Sequence, residues 1–166
     1  MNLRQFIWHS RFISDPKRIQ WYPVFWLMRI KVIELSPDWR KIRIRLPQTW
    51  VSTNMGGSLF GGFQACLADP IAAMACAKLF PDYTVWTRSL TLDFLEQGTS
   101  DLELRFFLDP KQERTIVKEL TEKNRSTPSF EYAFYKSNGK LCTTIKASIA
   151  IRPKGYKKPQ RHEISV

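Results

Sequence analysis

The chain has 166 residues, 43% hydrophobic and 25% charged, which suffices for one domain with a real core and excludes a disordered chain or a disulfide-stapled miniprotein. No apolar run approaches the roughly 18 residues of a membrane-spanning helix, and the first residues, MNLRQFIWHSRF, lack the apolar stretch and cleavage site of a secretory signal, so the expected compartment is cytoplasmic. The net charge of +11 sits at the ends: residues 1–50 hold ten Lys and Arg against three Asp and Glu, residues 152–166 five against one, and residues 51–151 eleven of each.

Basic ends attract nucleic acid, acidic lipid or a phosphorylated cofactor. No zinc-finger spacing or basic zipper accompanies the charge, so nucleic acid has no motif behind it and a solvated basic surface is the plainer reading.

Residues 1–26 are rich in aromatics, including Trp8, Phe12, Trp21, Tyr22, Phe25 and Trp26. Asp15-Pro16 reads as the cap and first position of a short helix that Pro23 ends. That helix can pack on the body or lie on a membrane surface. Residues 28–46 read as a hairpin turning at Ser36-Pro37-Asp38, with Ile42, Ile44 and Leu46 alternating with cations. A loop follows over 47–60. Gly61 to Leu79 reads as one buried helix, from Phe63, Leu67, Ile71 and Met74 at three- and four-residue spacing. Alternation then predicts strands over 84–95, 101–108, 130–136 and 141–151, the last two joined at Asn138-Gly139. Residues 110–124 carry helical spacing as an insertion, either a lid over a pocket or plain packing. The expected organisation is an N-terminal helical extension (1–27), a domain (28–151) and a basic tail (152–166). The fold class is α+β, a curved antiparallel sheet around one long central helix.

One stretch carries chemistry: Asn54-x-x-Gly57-x-x-Phe60-Gly61-Gly62, six residues, then Asp69. Paired glycines at a helix start let a ligand approach free amides, and such amides can hold an oxyanion. A carboxylate inside an apolar helix needs a partner or a task. Several plain alternatives stand beside this one. Asp69-Pro70 can itself be a cap and first position; if the helix runs through, Pro70 removes one backbone bond at a cost of about 3 kcal/mol. Asn54 can simply stabilise its loop. Gly61 and Gly62 can serve close packing. His9 and His162 lie at opposite ends of the chain, which argues against a His-based triad or metal site. Cys66, Cys76 and Cys142 form no Cys-x-x-Cys pair and are expected to be reduced and buried.

At these positions the chain resembles the hotdog-fold acyl-CoA thioesterases, in particular those similar to the phenylacetate-pathway enzymes. Their pattern is Asn-x-x-Gly-x-x-His-Gly-Gly, six residues, Asp. The match holds at Asn54, Gly57, Gly61, Gly62 and Asp69 and departs at Phe60, where those enzymes usually carry His. The Phe-Gly-Gly and Asp-Pro variants resemble a less characterised thioesterase branch of the same fold. The resemblance spans about residues 28–151. It implies hydrolysis of an acyl-CoA or related thioester, including one on an acyl carrier protein. Asp69 would be general base or nucleophile, the amides of Gly61 and Gly62 the oxyanion hole, and Asn54 the positioning group. It further implies no metal or other cofactor, and a homodimer or homotetramer with Asp69 facing the glycine turn of a partner chain. Gly57, Phe60, Cys66 and Arg88 complete the expected substrate-binding set. A non-catalytic acyl-CoA-binding protein and a membrane-surface or nucleic-acid-binding module are the alternatives.

Overall fold

The computed structural model describes residues 13–156. In chain order the elements are α1 (Asp15–Trp21), α2 (Pro23–Leu27), β1 (Lys31–Leu35), β2 (Lys41–Leu46), α3 (Gly61–Leu79), β3 (Tyr83–Phe94), β4 (Leu102–Phe107), α4 (Pro110–Lys123), β5 (Ser129–Lys136) and β6 (Leu141–Pro153).

The strands form one antiparallel sheet in the order β1-β2-β4-β5-β6-β3. Alternation sets its faces. Ile42, Ile44 and Leu46 of β2 and Leu102, Leu104 and Phe106 of β4 point into the core. On the outer face Arg43 pairs in register with Arg105. Glu103 accepts a 2.7 Å hydrogen bond from the Nε of each, so the carboxylate offsets the like charges. The β5–β6 turn is as expected, with Gly139 at φ +80°.

Helix α3 packs on one face of this curved sheet, against β3, β6 and β4. Its buried stripe is Gln64, Leu67, Ala68, Ile71, Ala72, Ala75 and Cys76. The expected stripe is corrected in part: Leu67 and Ile71 belong to it, whereas Phe63 and Met74 only flank it. Ala68, Ala72 and Ala75 share the stripe with Leu67 and Ile71, while Phe63 and Met74 lie at its sides. The helix is continuous through Pro70, so Asp69 lies within it and does not cap it.

The single expected N-terminal helix is two. Ser14, not Asp15, occupies the cap position, and Pro16 lies in the first turn. Pro23 ends α1 because it has no amide to donate, and it starts α2 for the same reason. Both helices are stitched to the body. Ile19, Phe25 and Met28 join the main core. The Gln20 side chain accepts from the Val32 amide at 2.8 Å. Asp15 accepts from Trp39 Nε1 at 3.0 Å and from Lys78 at 3.3 Å. Trp8 and Phe12 lie outside the described residues, as does the tail from 157 onward.

Helix α4 is capped by Asp109, whose side chain accepts from the Lys111 amide at 2.6 Å. It buries Ile116 and Leu120 and is pinned to the β1–β2 turn by Glu113, which accepts twice from Arg40 at 2.6–2.7 Å. None of its residues lines the cavities described next.

Candidate active site

The 47–60 loop is built on its own polar side chains. Ser52 is fully buried and donates to the Pro47 carbonyl at 2.8 Å. Asn54 Oδ1 accepts from the amides of Gly56 (2.9 Å) and Ser58 (3.1 Å), and Nδ2 faces Ser58 Oγ at 3.0 Å. Gly57 supplies the left-handed turn at φ +75° that this wrap requires. The Asn54 side chain is thus engaged by the loop itself.

The loop delivers Phe60 to the N-cap of α3 without a side-chain cap. The Phe60 carbonyl accepts from Phe63 and Gln64, while the amides of Gly61 and Gly62 find no acceptor among the described residues. Both glycines are also places of close approach. A Cβ on Gly61 would meet the Phe94 ring at 3.0 Å, and one on Gly62 would overlap the Phe60 ring. Phe60 is half exposed and edge-on to Phe63 at 6.1 Å.

Asn54 and Gly61 share a cavity of about 390 Å³ with Ser58, Gln64, Phe94 and Gly98. Gln64 is buried there and accepts from Thr143 Oγ1 at 2.7 Å. This pair was not anticipated, although a glutamine on an apolar helix face is a signal of it.

Asp69 lies elsewhere. Eight residues beyond Gly61, it is about 12 Å further along the helix. With Cys66, Pro70 and Met74 it lines a second cavity of about 340 Å³, closed on the other side by Ile19, Tyr22, Val24 and Phe25 of α1–α2. This volume lies within the range of small-molecule sites. The Asp69 carboxylate is exposed and has no hydrogen bond or ion pair among the described residues. Its backbone is held firmly instead. The Thr87 hydroxyl donates to the Asp69 carbonyl at 2.7 Å, and the buried Tyr132 hydroxyl donates to the Ala68 carbonyl at 2.7 Å. Two side chains from the sheet therefore grip the turn that Pro70 weakens. Burial and the nearby Asp69 charge push the Tyr132 hydroxyl well above its usual range. The same two causes, burial first, raise the Cys66 thiol. Cys66 therefore stays a neutral thiol near neutral pH and is a poor nucleophile.

Arg88 is exposed on β3, where the ladder to β6 slips: Thr87 faces Ile149 and Ser89 faces Ser148. Arg88 is the extra residue of this bulge, next to Thr87. Such bulges re-aim side chains. Arg152, the first cation of the basic tail, is engaged by the body: it donates to the carbonyls of Ser126 and Ile151 and to Thr127 Oγ1.

Of the motif residues, Asn54 and Gly61 line one cavity and Asp69 the other. Neither cavity is lined by Gly57, Phe60, Gly62 or Arg88.

The family described as Domain of unknown function (DUF4442) matches residues 17–151. Among curated proteins no sequence matches. Among solved structures, a Pseudomonas aeruginosa protein of unknown function described as a probable thioesterase is similar, at 20% identity and TM-score 0.69 over 78% of this chain and 86% of that one. The Haemophilus influenzae thioesterase HI1161 is similar at 15% identity and TM-score 0.58, over 78% and 82% of the two chains. The PaaI protein of the E. coli phenylacetic acid degradation operon is similar at 18% identity and TM-score 0.55, over 75% and 80%.

Proposed function

We propose, for a chain that belongs to the DUF4442 domain family and has the hotdog fold, hydrolysis of an acyl-CoA or related thioester at a site shared by two copies. One observation carries this reading. An unpartnered carboxylate beside an apolar cavity lies about 12 Å along one helix from two unpartnered amides. One copy cannot bring the two to the same carbonyl, whereas a second copy can present its glycine turn to Asp69. The thioesterase descriptions of the structural relatives support the same chemistry. Strand β3 supports the assembly: it is an edge strand, bonded to β6 on one side only among the described residues. Such an edge invites pairing with a second chain.

The chemistry follows from these groups. The Asp69 carboxylate takes a proton from water as the oxygen attacks the thioester carbonyl. The carbonyl oxygen becomes an oxyanion held by the amides of Gly61 and Gly62 of the other copy. The tetrahedral centre then expels the thiolate, which recovers the proton from Asp69, leaving free acid and thiol. Thr87 and Tyr132 act as positioning residues through the backbone on either side of Asp69. Asn54 positions the glycine turn by shaping its loop.

A second reading rests on Phe60. The half-exposed ring occupies the position of the usual histidine, which suits a protein that binds acyl-CoA without turnover. Release of free thiol from short, long and aromatic acyl-CoAs, by wild type and Asp69→Asn, separates the two. The hydrolytic reading expects a loss of about 10²–10⁴-fold in the variant with binding retained. Saturable binding without turnover by wild type supports the second reading.

A further inference from the structure

Within seven residues, the corner between α1 and α2 exposes Trp21, Tyr22, Val24, Trp26 and Leu27, with Trp26 67% and Leu27 55% accessible. The core does not need them, because Ile19 and Phe25 supply the buried face of these helices. Along the chain the charge that flanks them is positive, and Asp69 faces Tyr22 and Val24 only across the cavity they line. Residues 16–33 contain Lys17, Arg18, Arg29 and Lys31 and no carboxylate. Lys17, Arg29 and Lys31 are exposed, and none pairs with a carboxylate of the described residues. Lys17 lies four residues before Trp21 and so shares its helix face. The bond from Val32 to Gln20 brings the start of β1, and with it Lys31, alongside α1.

We propose that this corner docks on an anionic lipid bilayer. Tryptophan and tyrosine rings suit the headgroup boundary, where one end is apolar and the other wet. Cations beside them are attracted to acidic headgroups, by about fivefold in affinity for each one near the surface. The sequence of residues 1–12 has the same composition, with Phe6, Ile7, Trp8 and Phe12 beside Arg4 and Arg11. A second copy that meets Asp69 reaches the rim made by Tyr22 and Val24, but it is a poorer occupant of the face of Trp21, Trp26 and Leu27. A two-fold interface would bring this patch against itself and set cations against cations. Tyr22 and Val24 also line the Asp69 cavity. A docked corner therefore places that cavity beside the lipid, where long-chain acyl compounds partition. The docking itself does not depend on hydrolysis.

The test is co-sedimentation of the full chain with vesicles of equal parts phosphatidylcholine and phosphatidylserine, against pure phosphatidylcholine. Binding is expected only to the anionic vesicles and should weaken steeply with salt. Trp26→Ser with Leu27→Ser should lower the affinity by about tenfold or more, as binding scales with buried apolar area. Both side chains are exposed, and an unchanged thermal melt will show that the variant folds. Arg29→Gln with Lys31→Gln should lower it by about 25-fold, fivefold for each charge. No binding to anionic vesicles, or binding indifferent to both variants, overturns the proposal. So does an oligomer without vesicles that dissociates in the Trp26→Ser variant, since the patch would then be a subunit contact.

Discussion

An aspartate in the middle of an apolar helix, followed directly by proline, is held here by its backbone and not by its carboxylate. The carboxylate has no partner among the described residues, and its charge is felt by Cys66. This gives a direct reporter. Cys76 and Cys142 are fully buried, so iodoacetamide should label Cys66 first. Burial and the Asp69 charge both hold the Cys66 thiol up. Removing the charge in Asp69→Asn should lower that pKa, so labelling at a fixed mildly alkaline pH should accelerate. An unchanged or slower rate would mean that the carboxylate does not face the thiol. Thr87→Val removes the grip on the Asp69 carbonyl. Stability should fall by about 1 kcal/mol, the worth of one hydrogen bond. A fall in kcat with little change in KM would mark Thr87 as positioning the base, while an unchanged kcat would reduce it to a structural contact.

At the scale of elements, Pro70 and α1 carry the clearest expectations. Pro70→Ala returns an amide to the Cys66 carbonyl, so α3 should gain stability, by about 2 kcal/mol after the loss of proline's rigidity in the unfolded chain. Activity should fall if the break sets the direction of Asp69; thermal unfolding and turnover on the same samples check both. Helix α1 is tethered by Asp15. Burial pushes that carboxyl up, but Trp39, Lys78 and Arg18 together hold it below the usual carboxylate range. The folded pKa is therefore below the unfolded one. The tether stabilises above the unfolded value and is lost as the pH falls through the folded value. The difference in melting temperature between wild type and Asp15→Asn should shrink toward zero in acid. These elements were legible in the sequence to different depths. Alternation gave β2 and β4 their faces, and Asn138-Gly139 gave the β5–β6 turn. The helix of Gly61–Leu79 was legible from its period, and its buried face in part: Leu67 and Ile71 lie on it, whereas Phe63 and Met74 flank it and Ala68, Ala72 and Ala75 share it. Tyr132 and the bulge at Arg88 left no local signal, because each is defined by a partner far away in the chain.

The described residues form one sheet packed on α3, with β3 as a long edge strand and the motif residues divided between two cavities. The spacing from Asn54 to Asp69 was fully legible in the sequence. That the amides and the carboxylate lie too far apart to act together within one copy was legible only through helix geometry. This division makes the shared site testable by mixing. Gly62→Pro removes one amide proton at a helix start, where proline is tolerated, and the exposed Phe60 ring can swing aside. Asp69→Asn removes the carboxylate proposed as the base. Each variant alone should be inactive on the best acyl-CoA substrate. Equal amounts of the two, unfolded and refolded together, should recover up to about a quarter of wild-type turnover, because half the dimers are mixed and each mixed dimer holds one intact site. Turnover that stays at the level of the separate variants, in a sample shown to contain mixed dimers, would contradict a site built from Asp69 of one copy and the glycine turn of the other.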